Sequence, residues 1–355
     1  MESDNQQQRT TLQKHLKSLE KMLHTLNEAD NQDMLTPEEY CQSLQELLTY
    51  ATRDFRSTQI IESSVSDLLA DYWKRAEKRQ AAAPTGLGSL DAALNGGFQA
   101  KRLVTLLGAP GSGKTSLTNQ VGEKIAREHP VLYVTSEDTP DVLIAKTLSR
   151  LGNIKYSAAL YGWNERDGIN YRDKINAAIA DLVDRPSSRN LRYLDCTASM
   201  PSIAELRDRA QQHFEGRPGP GLIIVDYLQR MARAIKETTG TKELREAVTA
   251  LTERLRAIAS ELDCCVLAVA SMNRASGYGK NSENSVLAAA KESGDIEYTA
   301  DVMIALTEDT KRATSSWLKP FILRIDKNRQ GTTRNIDLDW DADHQHFLEV
   351  DHERN

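Results

Sequence analysis

The chain has 355 residues, of which 39% are hydrophobic and 27% are charged, and its formal net charge is −6. This length suggests about two domains, and no apolar stretch approaches the roughly 20 residues that a membrane-spanning helix needs. The mildly acidic total argues against a uniformly basic surface that coats nucleic acid, so such binding must use local segments, and the polar N-terminus predicts a cytoplasmic protein.

Three amphipathic patterns occupy the N-terminal part of the chain. Leucines recur at alternating spacings of four and three, as on the seam of a packed helix, at Leu12, Leu16, Leu19, Leu23 and Leu26. Thr36-Pro37-Glu38-Glu39 predicts the start of a second helix, with Thr36 as its N-cap. A third helix is indicated by one face with Ile61, Val65, Leu68 and Tyr72. A small helical bundle and an oligomerisation or partner-docking module need the same stripes, so both interpretations stay open.

Ala81-Ala82-Ala83-Pro84 is the obvious linker before a segment of different character. Domain boundaries usually fall in short stretches of this kind. We therefore predict a helical N-terminal domain over residues 1–83 and a nucleotide-binding domain over residues 84–355.

A phosphate-binding loop follows the apolar run Leu103 to Leu107 and precedes a helical pattern. Glycines let backbone N–H groups surround a polyphosphate, Lys114 can reach the β- and γ-phosphates, and the Thr115 hydroxyl can bind Mg²⁺. An ordinary glycine-rich turn is the alternative, but the complete pattern between a strand and a helix disfavours it. ATP and Mg²⁺ are the predicted cofactors. The predicted nucleotide-binding residues are Gly108, Ala109, Pro110, Gly111, Ser112, Gly113, Lys114, Thr115 and Ser116.

Beyond residue 85, apolar strand-like runs alternate with helical patterns. The runs are Val131 to Thr135, Leu191 to Leu194, Leu222 to Val225, Cys265 to Ala270, Val302 to Leu306 and Phe321 to Ile325. This alternation predicts an α/β fold with a mostly parallel sheet and helices on both faces, in which ligands bind at the carboxyl ends of the strands. The four cysteines lack metal-ligand spacing and are predicted to be core thiols.

Two acids follow predicted strands. Asp226 ends the run Gly221 to Val225, where nucleotide-hydrolysing proteins place a carboxylate in the Mg²⁺ shell, although an acid there can also simply cap a turn. Glu137 follows Val131 to Thr135 and is the candidate general base. The same stretch can start a helix with Thr139 as N-cap and Pro140 in the first turn, which leaves Glu137 free.

Two polar segments lack apolar periodicity and are predicted to be loops. Met231 to Lys242 contains Arg233 and Lys236, and Asn273 to Lys291 contains Arg274 and Lys280. Long polar loops in compact domains are often functional, so these four cations are candidate contacts to nucleic-acid phosphates. Plain solvated loops are the alternative, and Tyr278 is the one aromatic residue that accompanies them.

Together these motifs resemble the C-terminal motor domain of the DnaB-type replicative helicases, a superfamily-four branch of the RecA-like fold. The resemblance runs from about Pro84 to about Val350. Besides the phosphate loop it rests on Pro84-Thr85-Gly86, Ser89-Leu90-Asp91, Ser136-Glu137, Asp226-Tyr227-Leu228-Gln229, Asn273-Arg274, Glu292-Ser293-Gly294-Asp295-Ile296-Glu297, Ala300-Asp301 and Lys327-Asn328-Arg329-Gln330-Gly331.

The resemblance implies a homo-oligomeric ring, usually a hexamer, with ATP between subunits and single-stranded DNA in a central channel. It implies that Glu137 is the base, that Asp226 belongs to the metal shell, and that Lys327 and Arg329 reach a neighbour's ATP. The two polar segments would line the channel.

Two features depart from the family pattern. Ser271 stands where the family usually has a glutamine between the γ-phosphate and a DNA-binding loop, and serine is too short for that bridge. The N-terminal part also looks shorter than the usual primase-interacting domain plus linker helix. The sequence thus predicts an ATP-driven ring motor on single-stranded DNA, with helicase-like ATPase activity. The alternative is an ATP-dependent assembly or recruitment factor that binds nucleic acid or protein partners without unwinding.

Overall fold

The computed structural model describes residues 82–217, 219–239, 244–271 and 296–350, together with 64–70, 72–73 and the single positions 24, 36, 40 and 76. Contacts divide the chain into two units, Met1–Tyr72 and Trp73–Asn355. In the first unit, helix α1 (Val65–Ala70) lies within the third predicted helix, and the Tyr40 N–H donates to the Thr36 carbonyl (2.9 Å), as expected for a helix that begins there. The leucine seam of the first predicted helix lies outside the described residues.

Within the described residues, the second unit is built on a nine-stranded sheet. Its strands are β3 (Arg102–Gly108), β4 (Val131–Thr135), β7 (Leu191–Asp195), β8 (Leu222–Asp226), β9 (Cys265–Ser271), β10 (Val302–Glu308), β11 (Lys319–Asn328), β12 (Asn335–Asp341) and β13 (His346–Glu349). Two small hairpins pair β1 (Ala82–Ala83) with β2 (Phe98–Gln99) and β5 (Glu165–Arg166) with β6 (Ile169–Asn170).

The strand order in the large sheet is β13-β12-β11-β10-β3-β9-β8-β4-β7. The strands from β10 to β7 are parallel, and β11, β12 and β13 continue the sheet as an antiparallel edge. Every strand predicted from the sequence is confirmed. The β12–β13 hairpin was not predicted, although Ile336, Leu338 and Trp340 are buried at the period of two that a half-buried strand shows.

Helices cover both faces of the sheet, as predicted. They are α2 (Gly88–Ala93), α3 (Lys114–Ile125), α4 (Pro140–Gly152), α5 (Tyr156–Tyr161), α6 (Tyr171–Asp184), α7 (Ser187–Asn190), α8 (Ile203–Phe214), α9 (Leu228–Thr239), α10 (Leu244–Glu261) and α11 (Ile296–Thr299).

The two faces of the sheet form two separate apolar clusters. In β8, Ile223 and Val225 join the apolar cluster under α9 and α10, whereas Leu222 and Ile224 join the one under α3. Alternate residues of a strand thus build two separate cores.

The structure corrects the prediction of a loop over Met231 to Lys242. Residues up to Thr239 form α9, because Leu228, Met231 and Ala232 recur at helical spacing and are fully buried against the sheet. The polar residues between them obscured this pattern.

The structure also corrects the linker interpretation of Ala81 to Pro84. Ala82 and Ala83 pair with Gln99 and Phe98, and the Ala83 side chain is buried. The compact unit that holds the sheet runs from Trp73 to Asn355, and the domain boundary after residue 83 stays a prediction.

Three cysteines, Cys196, Cys264 and Cys265, are buried free thiols, which confirms the core prediction for them, whereas Cys41 lies outside the described residues. Burial raises the pKa of Cys196 to about 11 and that of Cys264 to about 12. In the part of the chain that the structure describes, no helix is long and apolar enough to cross a membrane.

Candidate active site

The phosphate loop connects the end of β3 to the start of α3, and the glycines at its first and sixth positions are required for different reasons. Gly113 is the residue before α3 and adopts φ 85°, a left-handed conformation that glycine tolerates. A Cβ atom there would lie 2.9 Å from Cζ of Phe347. A Cβ atom on Gly108 would lie 2.7 Å from the Ser112 Oγ atom. The loop therefore packs too closely for side chains at both positions.

Two groups of the loop suit a polyphosphate. The Lys114 ammonium donates to the carbonyls of Gly108 (3.0 Å) and Ala109 (2.8 Å). Burial lowers the pKa of Lys114, against the opposing effect of the negative charges of Asp226 and Glu137. Within the described residues the Ser112 hydroxyl is buried without a hydrogen-bond partner, which usually marks an absent ligand or water. An anion in the loop would satisfy both.

Asp226 is held by hydroxyl groups at the end of β8. The Tyr133 hydroxyl donates to its Oδ2 atom (2.9 Å) and also contacts the Thr118 hydroxyl (2.8 Å). Burial raises the pKa of Asp226, although hydrogen bonds with Thr115 and Tyr133 and the charge of Lys114 act in the other direction. Thr115 and Asp226, the two predicted metal ligands, thus lie together and offer the hard oxygen atoms that Mg²⁺ prefers.

Glu137 follows the neighbouring strand, β4, and its backbone is fixed. The N–H and hydroxyl of Ser136 both donate to the Asp226 carbonyl (2.9 Å each), and Arg230 donates to the Ser136 carbonyl. Burial raises the pKa of Glu137, as does the nearby charge of Asp226, while Lys114 lowers it. Helix α4 begins at Pro140 as predicted, but the Thr139 side chain makes no capping hydrogen bond.

Lys114, Thr115, Glu137 and Asp226 line one cavity of about 510 Å³. Its remaining walls include Ser271, at the position that the resemblance places beside the γ-phosphate, and three residues that the sequence did not predict to be in the site: Lys146, Trp340 and Gln345. Gln345 accepts a hydrogen bond from the Ser116 hydroxyl (2.7 Å), so the β12–β13 connection closes the site beside the start of α3. The Gln229 amide bonds both backbone groups of Ser271, donating to its carbonyl (2.9 Å) and accepting from its N–H (3.2 Å).

Lys327 and Arg329 lie far from this cavity. Arg329 N–H donates to the Asp301 carbonyl (3.0 Å) just before β10, whereas the phosphate loop follows Gly108, which pairs with Leu306 near the other end of β10. The path from residue 301 to residue 306 is about 16 Å long in an extended strand, more than either side chain spans. The Lys327 and Arg329 side chains both donate to the Tyr298 carbonyl (3.4 and 2.7 Å), so they lie on the same side.

The structure describes two of the four residues predicted to contact nucleic acid. Arg233 and Lys236 lie one turn apart on α9, the helix that starts immediately after Asp226 and Tyr227, and Arg233 is exposed. Arg274 and Lys280 lie outside the described residues.

A phosphate loop on a central parallel strand, with acids at the ends of two neighbouring strands, defines a RecA-like nucleotide-binding domain. The sequence profile described as "DnaB-like helicase C terminal domain" matches residues 82–349. The chain belongs to that family.

Curated relatives include the replicative DNA helicase DnaB of Helicobacter pylori strain J99, 27% identical over 255 residues, or 71% of this chain and 49% of that protein. The DnaB of Rickettsia prowazekii is 25% identical, over 74% of this chain and 57% of its own length. The chain thus spans about half the length of the curated relatives it matches.

Solved structures confirm the RecA-like fold. A DnaB-like replicative helicase, described with its interactions with primase, superposes with a TM-score of 0.72 at 18% identity, over 97% of this chain and 78% of that one. A second structure, an isolated ATPase domain, superposes with a TM-score of 0.68 at 19% identity, over 82% of this chain and 100% of that one.

Proposed function

We propose that this protein is an ATP-hydrolysing, ring-forming motor that translocates on single-stranded DNA and acts as a DnaB-like helicase in the cytoplasm. The observation that carries the proposal is the separation of one site into two halves. The phosphate loop and both acids line a cavity at the carboxyl ends of the strands, whereas Lys327 and Arg329 lie near the opposite end. In this proposal a second copy supplies these cations, and repeated head-to-tail contacts of this kind form a ring when the rotation between subunits closes.

In this proposal the predicted site residues have distinct roles. Lys114 and the backbone of the phosphate loop bind the phosphates, and Thr115 with Asp226, the latter directly or through water, hold Mg²⁺. When bound, Mg²⁺ neutralises charge on the phosphate oxygens. Glu137 accepts the proton of the attacking water, and Lys327 with Arg329 of a neighbouring subunit stabilise the charge that develops on the transferred phosphoryl group.

DNA binding is assigned to Arg233 and Lys236 on α9, with Arg274 and Lys280. Because α9 begins directly after Asp226 and Tyr227, a change at the nucleotide can move the helix that carries two of these cations. The N-terminal segment, residues 1–83, is proposed to support oligomerisation or to dock a protein partner.

A strand-displacement assay with ATP and Mg²⁺ tests the proposal. The wild-type chain should show ATPase activity that single-stranded DNA stimulates and should release a labelled strand from a forked duplex. Lys114→Ala should do neither, because the phosphate charge loses its main cation.

Ser271 favours a second candidate function. With serine in place of the family glutamine, the chain would be a recruitment factor that changes partners with its nucleotide state. DNA-stimulated hydrolysis without any strand release would support that function and contradict the helicase.

A further inference from the structure

Asp301 lies at the centre of an arginine cluster that none of the roles above explains. Its side chain is 1% exposed, and its Oδ2 atom accepts a hydrogen bond from the Leu103 N–H (3.1 Å). Its Oδ1 atom faces three guanidinium groups, those of Arg256 (3.0 Å), Arg102 (3.5 Å) and Arg329 (3.6 Å). One of these arginines, Arg329, is the residue that the proposed function places beside a neighbouring subunit's ATP.

The three arginines are not equivalent. Arg256 makes the shortest contact with Asp301 and also donates to the Thr299 carbonyl (2.8 Å), and the Arg102 side chain is only 21% exposed. Arg329 makes the longest contact and is 41% exposed. Because guanidinium groups stay charged, one carboxylate leaves this cluster with excess positive charge. Arg329, at the surface, is best placed to meet an anion from another molecule.

Asp301 also fixes the backbone on which Arg329 stands. Its carbonyl accepts the Arg329 N–H (3.0 Å), and its own N–H donates to the Leu103 carbonyl (2.9 Å). Leu103 belongs to β3, the strand that ends in the phosphate loop. The residue that holds the guanidinium therefore also ties it to the start of the strand that carries the same subunit's nucleotide site.

We propose that Asp301 is a positioning residue for Arg329. Its carboxylate holds the guanidinium at the subunit edge in the geometry that the neighbour's ATP requires, and it touches no substrate itself. The inference rests on the proposed function, in which Arg329 acts on a neighbouring subunit's ATP. Holding a charged group in place before reaction is worth a large factor in rate, since a displacement of about 1 Å can cost about 10²-fold.

A double-mutant cycle on the full-length chain tests this role. Asp301→Asn keeps an oxygen acceptor for the Leu103 N–H and removes the charge. It should lower kcat for DNA-stimulated ATP hydrolysis about 10²-fold and leave KM for ATP within about twofold of wild type. Arg329→Ala should lower kcat by about 10³-fold or more. The double variant should equal Arg329→Ala alone, because Asp301 acts only through Arg329.

Arg256→Gln is the matched control, since it removes another arginine from the same carboxylate. It should lower thermal stability but keep kcat within about twofold of wild type. If Asp301→Asn does not fold, Asp301→Glu replaces it, because an added methylene shifts the carboxylate and should give the same non-additivity with Arg329→Ala. Additive losses in the double variant would overturn the inference.

The single variants separate the two proposals. If Arg329→Ala keeps its kcat, the proposed role of Arg329 fails, and the role of Asp301 fails with it. If Arg329→Ala loses activity and Asp301→Asn keeps it, only the inference about Asp301 fails.

Discussion

Glu137 and Asp226 are two carboxylates in one cavity with different surroundings. Asp226 is buried, and its Oδ2 atom accepts a hydrogen bond from the Tyr133 hydroxyl. Glu137 is exposed to solvent as a residue, and its carboxylate is only partly desolvated, beside the charges of Asp226 and Lys114. A general base must accept a proton from a mobile water, which an exposed carboxylate with a raised pKa does better than a buried one. The surroundings therefore support Glu137 as the base and Asp226 as the metal-shell acid.

Glu137→Gln should retain ATP binding and lose most turnover, because the amide keeps the shape of the side chain without its basic oxygen. General-base catalysis typically contributes about 10² to 10⁴-fold, and kcat should fall within that range. Binding of a fluorescent ATP analogue and steady-state hydrolysis measure the two effects. Asp141→Asn, an exposed acid in the first turn of α4, is the control and should behave like wild type. Normal turnover in purified Glu137→Gln would remove Glu137 from the mechanism.

The pH profile of hydrolysis should reflect two shifted groups. Partial burial raises the pKa of Glu137, so kcat should begin to fall with decreasing pH above the ordinary glutamate value of about 4.3. Burial lowers the pKa of Lys114, so ATP binding should weaken on the alkaline side before the ordinary lysine value of about 10.4 is reached. The residual activity of Glu137→Gln should lack the acidic limb. If Glu137→Gln still shows the same fall in kcat at low pH, a group other than Glu137 causes that fall.

At the scale of elements, one buried carboxylate joins three helical segments. Glu123 of α3 is 2% exposed and lies near Arg127 (3.1 Å), Arg150 of α4 (3.7 Å) and Arg185 after α6 (3.4 Å). Burial alone would raise the pKa of Glu123, but the Arg127 hydrogen bond and the three positive charges outweigh burial and lower it. The ion pairs therefore contribute stability above the ordinary glutamate pKa, which is lost as the pH falls through the lowered value.

Glu123→Gln should lower the free energy of unfolding by about 3 kcal/mol at pH 7, because breaking a buried ion pair leaves charged partners uncompensated. Urea denaturation at pH 7 and at pH 4 measures this loss, which should be smaller at pH 4. Glu128→Gln, at an exposed position one turn further on, should change the free energy by less than about 0.5 kcal/mol. Equal losses for both variants would show that the cluster is not stabilising.

Helix α9 carries Arg233 and Lys236, the two predicted DNA-binding residues that the structure describes. Replacing both Arg233 and Lys236 with glutamine should weaken single-strand binding equally for different sequences. If both contact phosphates, the log–log salt slope should become shallower by about 1.4, or ~0.7 per contact. Basal ATPase activity should persist. Lys174→Gln on α6 is the control, because it also removes one positive charge and should leave the slope unchanged. An unchanged slope in the double variant would show that Arg233 and Lys236 do not contact DNA phosphates.

The elements differ in how far the sequence predicted them. The strands β4 and β8 were predicted to within one residue because they are short buried runs between polar ends. Helix α9 was missed because its buried side is only a few residues wide and includes an alanine. The phosphate loop, Asp226 and Glu137 each lie at or just after the end of a strand, so local sequence predicts them. Trp340 and Gln345 reach the cavity only because the antiparallel edge folds across α3, which local sequence does not specify.

At the scale of the whole molecule, the direction of the sheet determines which parts of the site one chain can bring together. Parallel strands place the phosphate loop and both acids at their carboxyl ends. The antiparallel strand β11 runs the other way and delivers Lys327 and Arg329 toward the amino ends. In the proposed ring a subunit would present half of one site and half of another, so the proposed ATPase would be a property of the interface.

Mixing two inactive variants tests that proposal. Arg329→Ala subunits keep an intact phosphate loop, and Lys114→Ala subunits keep an intact Arg329, so neither variant alone has a complete site. In equimolar mixed rings about one interface in four should join the two intact halves, because each heterologous interface takes one surface from each subunit. ATPase activity should therefore recover to at most about a quarter of wild type if the interfaces act independently. Native mass spectrometry verifies the mixing. The control without recovery is the double variant Lys114→Ala/Arg329→Ala mixed with Lys114→Ala.

If verified mixed rings stay inactive at every ratio, either Arg329 acts within its own subunit or every interface must hydrolyse ATP in a fixed sequence. Crosslinking from Arg329→Cys to a reactive ATP analogue distinguishes these outcomes, since only a trans arrangement labels the neighbour's nucleotide.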